Sequence, residues 1–144
     1  KPSVQTIANA MDVGDPSNWV RIQDMFKTDP EQLRKLISGF SYTDEENREA
    51  IERIYGSYKY IACPHTAIAW QALKDWQQDK PTGGVAGVFL STAHPCKFPD
   101  VLPKHISREI VIPQQVKNLE GKPKHSVALG KDFEAFKAYL LDNK

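Results

Sequence analysis

The sequence predicts an α/β protein: a partial three-layer α/β/α arrangement with few parallel strands and many helices. Three observations lead there. Amphipathic stretches with start and stop residues fill most of the chain. Short β-prone runs, YKYIA at 58–62, VAGVFL at 85–90 and KHSVALG at 124–130, fall between them. Helices alternating with strands favour parallel pairing with crossover helices. Two or three strands among six or seven helices are too few for a complete doubly wound sheet. The domain is therefore expected to be part of one, with exposed strand edges.

Helical grammar opens the chain. In DPSNWVRIQDMF, Pro16, Ser17 and Asn18 are start signals, and Trp19, Ile22 and Phe26 recur at helical spacing. Asp29 reads as an N-cap, Pro30 as a first-turn proline and Gln32 as a capping partner, with Leu33, Leu36 and Ile37 as the buried stripe and Gly39 as the stop. SYTDEENREAIERIYG repeats the pattern: Thr43 caps, Glu46 completes the box, Ile51, Ile54 and Tyr55 face inward, and Gly56 closes.

Beyond the aromatic run at 58–62, TAIAWQALKDWQQ is helical, with Ala69, Leu73 and Trp76 on one face. Pro81 and Gly83-Gly84 predict a turn, and 85–90 a strand buried on both sides. A helix carrying Phe98, Val101 and Leu102 is expected after His94-Pro95. PQQVKNLEG gives a short helix, 124–130 a further strand, and DFEAFKAYLLDN a closing helix. The whole of 1–144 is treated as one domain or one portion of a domain.

Composition narrows the function. Hydrophobic residues make up 40% and charged residues 26%, the balance of an ordinary globular chain. With 19 Lys and Arg against 18 Asp and Glu, the net charge of +1 gives no electrostatic case for nucleic acid or an anionic membrane surface. No apolar run is long enough to span a bilayer. Two cysteines, Cys63 and Cys96, do not make a disulfide framework, so a reducing, cytoplasmic setting is expected. The chain opens Lys1-Pro2-Ser3 without an initiator Met and is expected to belong to something longer.

Chemistry concentrates where two β-like runs end. VFL passes into Ser91, Thr92, His94, Cys96 and Lys97, and YIA into Cys63, His65 and Thr66. In open α/β sheets ligands bind outside the carboxyl ends of the strands, so neighbouring strands would put both loops in one crevice. Ser and Thr at such places also serve as caps and turn residues. Cys63-Pro64-His65 and His94-Pro95-Cys96 mirror each other and supply four zinc-type ligands, but the one-residue proline gap is not the usual ligand spacing. Cys or Ser nucleophiles beside His are present, without the elbow or active-site cysteine signatures such sites carry. A self-contained helical binding module with a structural Cys/His site remains the alternative on these residues.

Three stretches in order, SVQTIANAMDVGDPSNW, CPHTAIAW and LSTAHPCKFPD, resemble the carboxy-terminal part of the threonine synthase family, pyridoxal-phosphate enzymes of the tryptophan-synthase-β-like fold type II. The likeness runs from residue 3 to about residue 100; after Ile110 it is general. Family members usually have Asp before PHTA and Ala between the Pro and Lys of AHPAKF, where this chain has Cys63 and Cys96. The resemblance thus gives the thiols no required role.

The resemblance implies that Thr92 meets the pyridine nitrogen of pyridoxal 5'-phosphate. A neutral hydroxyl there makes the ring a milder electron sink than a carboxylate would. It further implies that Ser91, His65 and Thr66 belong to the cofactor side, and that His94, Lys97 and Asn18 order loops or meet substrate. For the NAMDVGDPSN segment the residue types by themselves favour a turn with Ser17 capping. The family's Schiff-base lysine and phosphate loop lie upstream of the matching region, and no lysine here has that context. The implied parent converts O-phosphohomoserine and water to L-threonine and phosphate. This chain, lacking the lysine, would need the N-terminal remainder of the enzyme as its partner.

Overall fold

A computed structural model describes residues 2–9, 13–27, 29–78 and 86–142. The chain divides into two compact units, Lys1–Val111 and Ile112–Lys144. The first holds α1 (Trp19–Met25), α2 (Pro30–Leu36), α3 (Asp44–Tyr58), α4 (Pro64–Gln78), a 3-10 turn (Pro95–Lys97) and α5 (Lys104–Ser107). The second holds α6 (Gln114–Lys117) and α7 (Phe133–Asp142).

The described residues are helical and contain no strand, which overturns the α/β, parallel-sheet expectation. The reason is physical: a strand exists by pairing its N–H and C=O groups with a neighbour, and β propensity alone supplies none. At 58–62, Tyr58 completes α3 and Lys59 turns the chain at φ 54, a left-handed conformation. Residues 86–90 have no regular structure and lie exposed, Val88 at 85% and Leu90 at 74%, where burial on both sides was expected. Residues 124–130 are also irregular and exposed. Val85 and the turn expected at Pro81 and Gly83-Gly84 fall outside the described residues.

The core of the first unit is the α3–α4 pair. Ala50, Ile51 and Ile54 of α3 pack with Ala62, Ala67, Leu102 and Ile106, and Tyr55, Ile61, Trp70 and Ile110 cover them. α3 forms because Thr43 and Glu46 close a reciprocal capping box and three acidic residues follow in the first turn. Its helical run passes through Gly56, the expected stop, because Lys59 supplies the left-handed cap instead. In α4 the buried residues are Pro64, Thr66 and Ala67, rather than the expected face of Ala69, Leu73 and Trp76, which is half-buried.

Polar bonds add to this pair. Arg53 donates to Gln71 Oε1 at 2.6 Å and lies over the Trp70 ring. Gln71 in turn donates to Asp75, which also accepts from the Tyr42 hydroxyl at 2.6 Å. α2 is capped as expected, with Asp29 accepting from the amides of Glu31 and Gln32, yet it buries no residue and ends before Gly39. Past His94, the expected helix is only a 3-10 turn and bends, from which Phe98 and Leu102 still reach the core.

In the second unit Asp132 accepts the Ala135 amide at 2.8 Å at the head of α7, and Gln114 donates to Asn118 across α6. Neither helix buries a residue.

Candidate functional site: a hydroxyl row at the head of α4

The first turn of α4 is pinned in the core. Pro64 stands at the first helical position, where its missing N–H costs nothing. Cys63 O accepts the Ala67 amide at 3.0 Å. Thr66 is fully buried, so its hydroxyl must find partners inside the protein. It finds Ser91 Oγ at 3.0 Å and Cys63 Sγ at 3.2 Å. Ser91 meets a second hydroxyl, that of Tyr60, at 3.4 Å. A row therefore runs Cys63, Thr66, Ser91, Tyr60 from the core to the surface.

At the outer end, Tyr60, Ser91, Thr92, Ala93, His94 and Pro95 line an open concavity of about 320 Å³. A neighbouring concavity shares Tyr60, His94 and Pro95 and adds Ile61, Glu109, Ile110 and Val111. Glu109 accepts the Tyr55 hydroxyl at 2.5 Å, and that bond, with a smaller part from burial, raises the Tyr55 phenol above its ordinary pKa. Among the described residues the Thr92 hydroxyl engages no protein group, and it is exposed at the lining. It is the hydroxyl left available to a ligand. A further concavity lies between α1 and α2, lined by apolar residues with Gln23 and with Asp29, whose carboxylate is occupied in capping. It offers little chemistry.

The structure thus gathers Ser91, Thr92 and His94 at one lining, with Thr66 directly behind Ser91. His65 turns elsewhere: its ring packs against Phe98 at 5.3 Å, and its buried Nδ1 has no partner among the described residues. His94 Nδ1 accepts the Cys96 amide at 3.1 Å and so caps the 3-10 turn that carries the exposed Lys97. Asn18 is the residue preceding α1, without a side-chain cap bond, and Ser17 is not the cap expected of it. Asn18 is not part of the lining.

The mirrored Cys/His arms are occupied separately, Cys63 with Thr66, His65 with Phe98 and His94 with Cys96 N. Among the described residues no group of three or more His, Cys, Asp or Glu is arranged to hold a metal. Sequence reasoning missed Tyr60 and Glu109. Tyr60 was absorbed into a supposed strand, and its place three residues before Cys63 was the available clue. Glu109 is brought in only by the chain's return through α5.

Comparison with known proteins gives the family. The family model described as threonine synthase, C-terminal, matches residues 66–140, just over half of the chain. Threonine synthase of Buchnera aphidicola subsp. Schizaphis graminum is 35% identical over 99% of this chain and 32% of its own length. That of Escherichia coli strain K12 is 32% identical over 100% of this chain and 32% of its own length. The crystal structure of threonine synthase from Escherichia coli superposes with a TM-score of 0.72 at 33% identity, covering 100% of this chain and 32% of that one. The chain spans about a third of the length of the relatives it matches. With the family model matching from Thr66 in α4 through Ser91 and Thr92 into α7, and with these relatives covering nearly the whole chain, the chain belongs to the threonine synthase family and corresponds to its C-terminal part.

Proposed function

We propose that this chain forms one wall of the cofactor site of a threonine synthase that converts O-phosphohomoserine and water to L-threonine and phosphate. The observation that carries the reading is the Thr92 hydroxyl, exposed at a lined concavity beside a hydroxyl pair in which Ser91 meets the buried Thr66. Its chemistry fits pyridoxal 5'-phosphate, because a pyridine nitrogen needs one polar partner and an uncommitted hydroxyl can donate to it or accept from it. When bound, that cofactor supplies the electron sink for removing and returning protons on the amino-acid substrate.

The chain's own residues would then divide the work. Thr92 would hold the ring nitrogen without adding a formal charge. Ser91 and Thr66 stand behind it, with Thr66 fixed by burial. His94 orders the Pro95–Lys97 turn through its bond to the Cys96 amide, which keeps Lys97 near the lining as an exposed cation for an anionic substrate. His65 contributes as packing under Phe98 rather than by direct contact. Asn18 has no role supported by its surroundings. The remaining parts of the site, including the lysine that carries the cofactor, would come from the N-terminal part of the enzyme. No helix among the described residues is long and apolar enough to cross a membrane; a cytoplasmic, amino-acid-biosynthetic role is part of the proposal.

The test uses the full-length protein supplied with pyridoxal phosphate. O-phosphohomoserine should give phosphate and threonine in equal amounts. Thr92→Val should lower turnover on the order of 100-fold, as loss of one well-placed polar partner does, while the cofactor stays bound. Full activity in Thr92→Val would overturn the assignment of that hydroxyl.

A further inference from the structure

The segment that carries Thr92 is weakly held by ordinary means. Residues 86–90 are exposed, and among the described residues no backbone hydrogen bond secures 86–92. Two contacts with α4 fix it instead. Gly87 lies so close to the helix that a Cβ there would sit 2.6 Å from Leu73 Cδ2 and 3.0 Å from Gln77 Nε2. Four residues later, Ser91 Oγ lies 3.0 Å from Thr66 Oγ1.

These two contacts agree in length. From Thr66 to Leu73 or Gln77 an α-helix rises roughly 10–16 Å, and an extended chain covers about 13 Å between residues 87 and 91. The segment therefore runs back along α4, and Ser91 is its last attachment before Thr92. Ser91 is itself gripped from both sides, by buried Thr66 within and by half-exposed Tyr60 without.

We propose that Tyr60 is a positioning residue: through Ser91 it clamps the segment that presents Thr92, closing from the solvent side a tether that Thr66 closes from the core. The clamp's role in catalysis rests on the function proposed above; its existence does not. Tyr60 also lines both concavities, so its ring forms part of the wall that Thr92 faces. Removing its hydroxyl leaves that wall in place and frees one side of Ser91. Tyr60→Phe therefore isolates the tether from the shape of the site.

Backbone NMR order parameters over residues 88–93 in the full-length protein, without cofactor, read the tether directly. They should stand at about 0.85 in the parent, fall below about 0.6 in Ser91→Ala, and fall by roughly half as much in Tyr60→Phe. The double variant should match Ser91→Ala, because both changes act through one oxygen. Order parameters in α3 should stay at the parent level, and Ser91→Thr, which keeps a hydroxyl, should restore the parent values. With cofactor and substrate, Tyr60→Phe should lower kcat more than it changes KM and should shift the cofactor absorbance. Tyr60→Phe with parental order parameters, or a double variant whose effects add, overturns the proposal. Order parameters that respond as stated, in a protein that neither binds pyridoxal phosphate nor turns over, support the clamp and overturn the function it was thought to serve.

Discussion

α2 and α3 are written in the same local code and end in different places. Both open with a side-chain cap, Asp29 or Thr43, and both carry an apolar stripe. α3 buries Asn47, Ala50, Ile51 and Ile54, whereas α2 buries nothing and leaves Leu36 72% exposed. The difference is a partner. α3 has α4 beside it, with Leu102 and Ile106 filling the remaining space. Capping grammar makes a helix; only a facing surface turns its stripe into core.

The sharpest way to break this comparison is to cut one stripe residue from each helix. Ile51→Ala should destabilise the protein by about 2–5 kcal/mol, since it empties a fully buried site. Leu36→Ala should stay within about 0.5 kcal/mol, the range of exposed positions. Denaturant unfolding of the two variants side by side checks this, and equal losses would mean that α2 has a partner surface after all.

The caps offer a smaller, second test. Thr43→Ala breaks a capping box at the head of a packed helix and should cost about 1 kcal/mol of global stability. Asp29→Ala should fray α2 alone, seen as faster amide exchange there with an unchanged unfolding midpoint.

The smallest effect is electrostatic and confined to the α3–α4 side. Burial, then the hydrogen bond and the negative charge of Asp75, push the Tyr42 phenol from 10.0 up to about 12. A raised folded-state pKa contributes stability that is complete below the unfolded value and is lost as pH rises through the folded one. Stability should therefore fall between pH 10.0 and about 12. Tyr42→Phe should remove that component of the slope, measured by unfolding across the same range.

The same contrast explains what could be read from the residues. Thr43 with Glu46, and Asp29 with Pro30, are contiguous signals, and the helices they predict are present. The runs at 58–62 and 85–90 carried β propensity but no information about a partner, and no strand forms among the described residues. α4 shows the intermediate case. Its existence was legible, but its buried face was set by the neighbours of Thr66 and Ala67 rather than by its own periodicity. Ser91 and Thr92 stood out because an apolar run stopped at them. Tyr60, 31 residues from the serine it meets, did not.

The sequence by itself determined α2, α3 and α4, the side-chain caps of α2 and α3, and through its PHTA and TAHP motifs the family to which the chain belongs. Such features depend on residues a few positions apart, so local bonding and spacing suffice to specify them. Tertiary structure alone decided which helix pair became core and which hydroxyl was left uncommitted. It also decided that Ser91 would stand between Thr66 and Tyr60. Those outcomes depend on residues distant in the chain, whose meeting is set by the packing of the whole rather than by any local pattern.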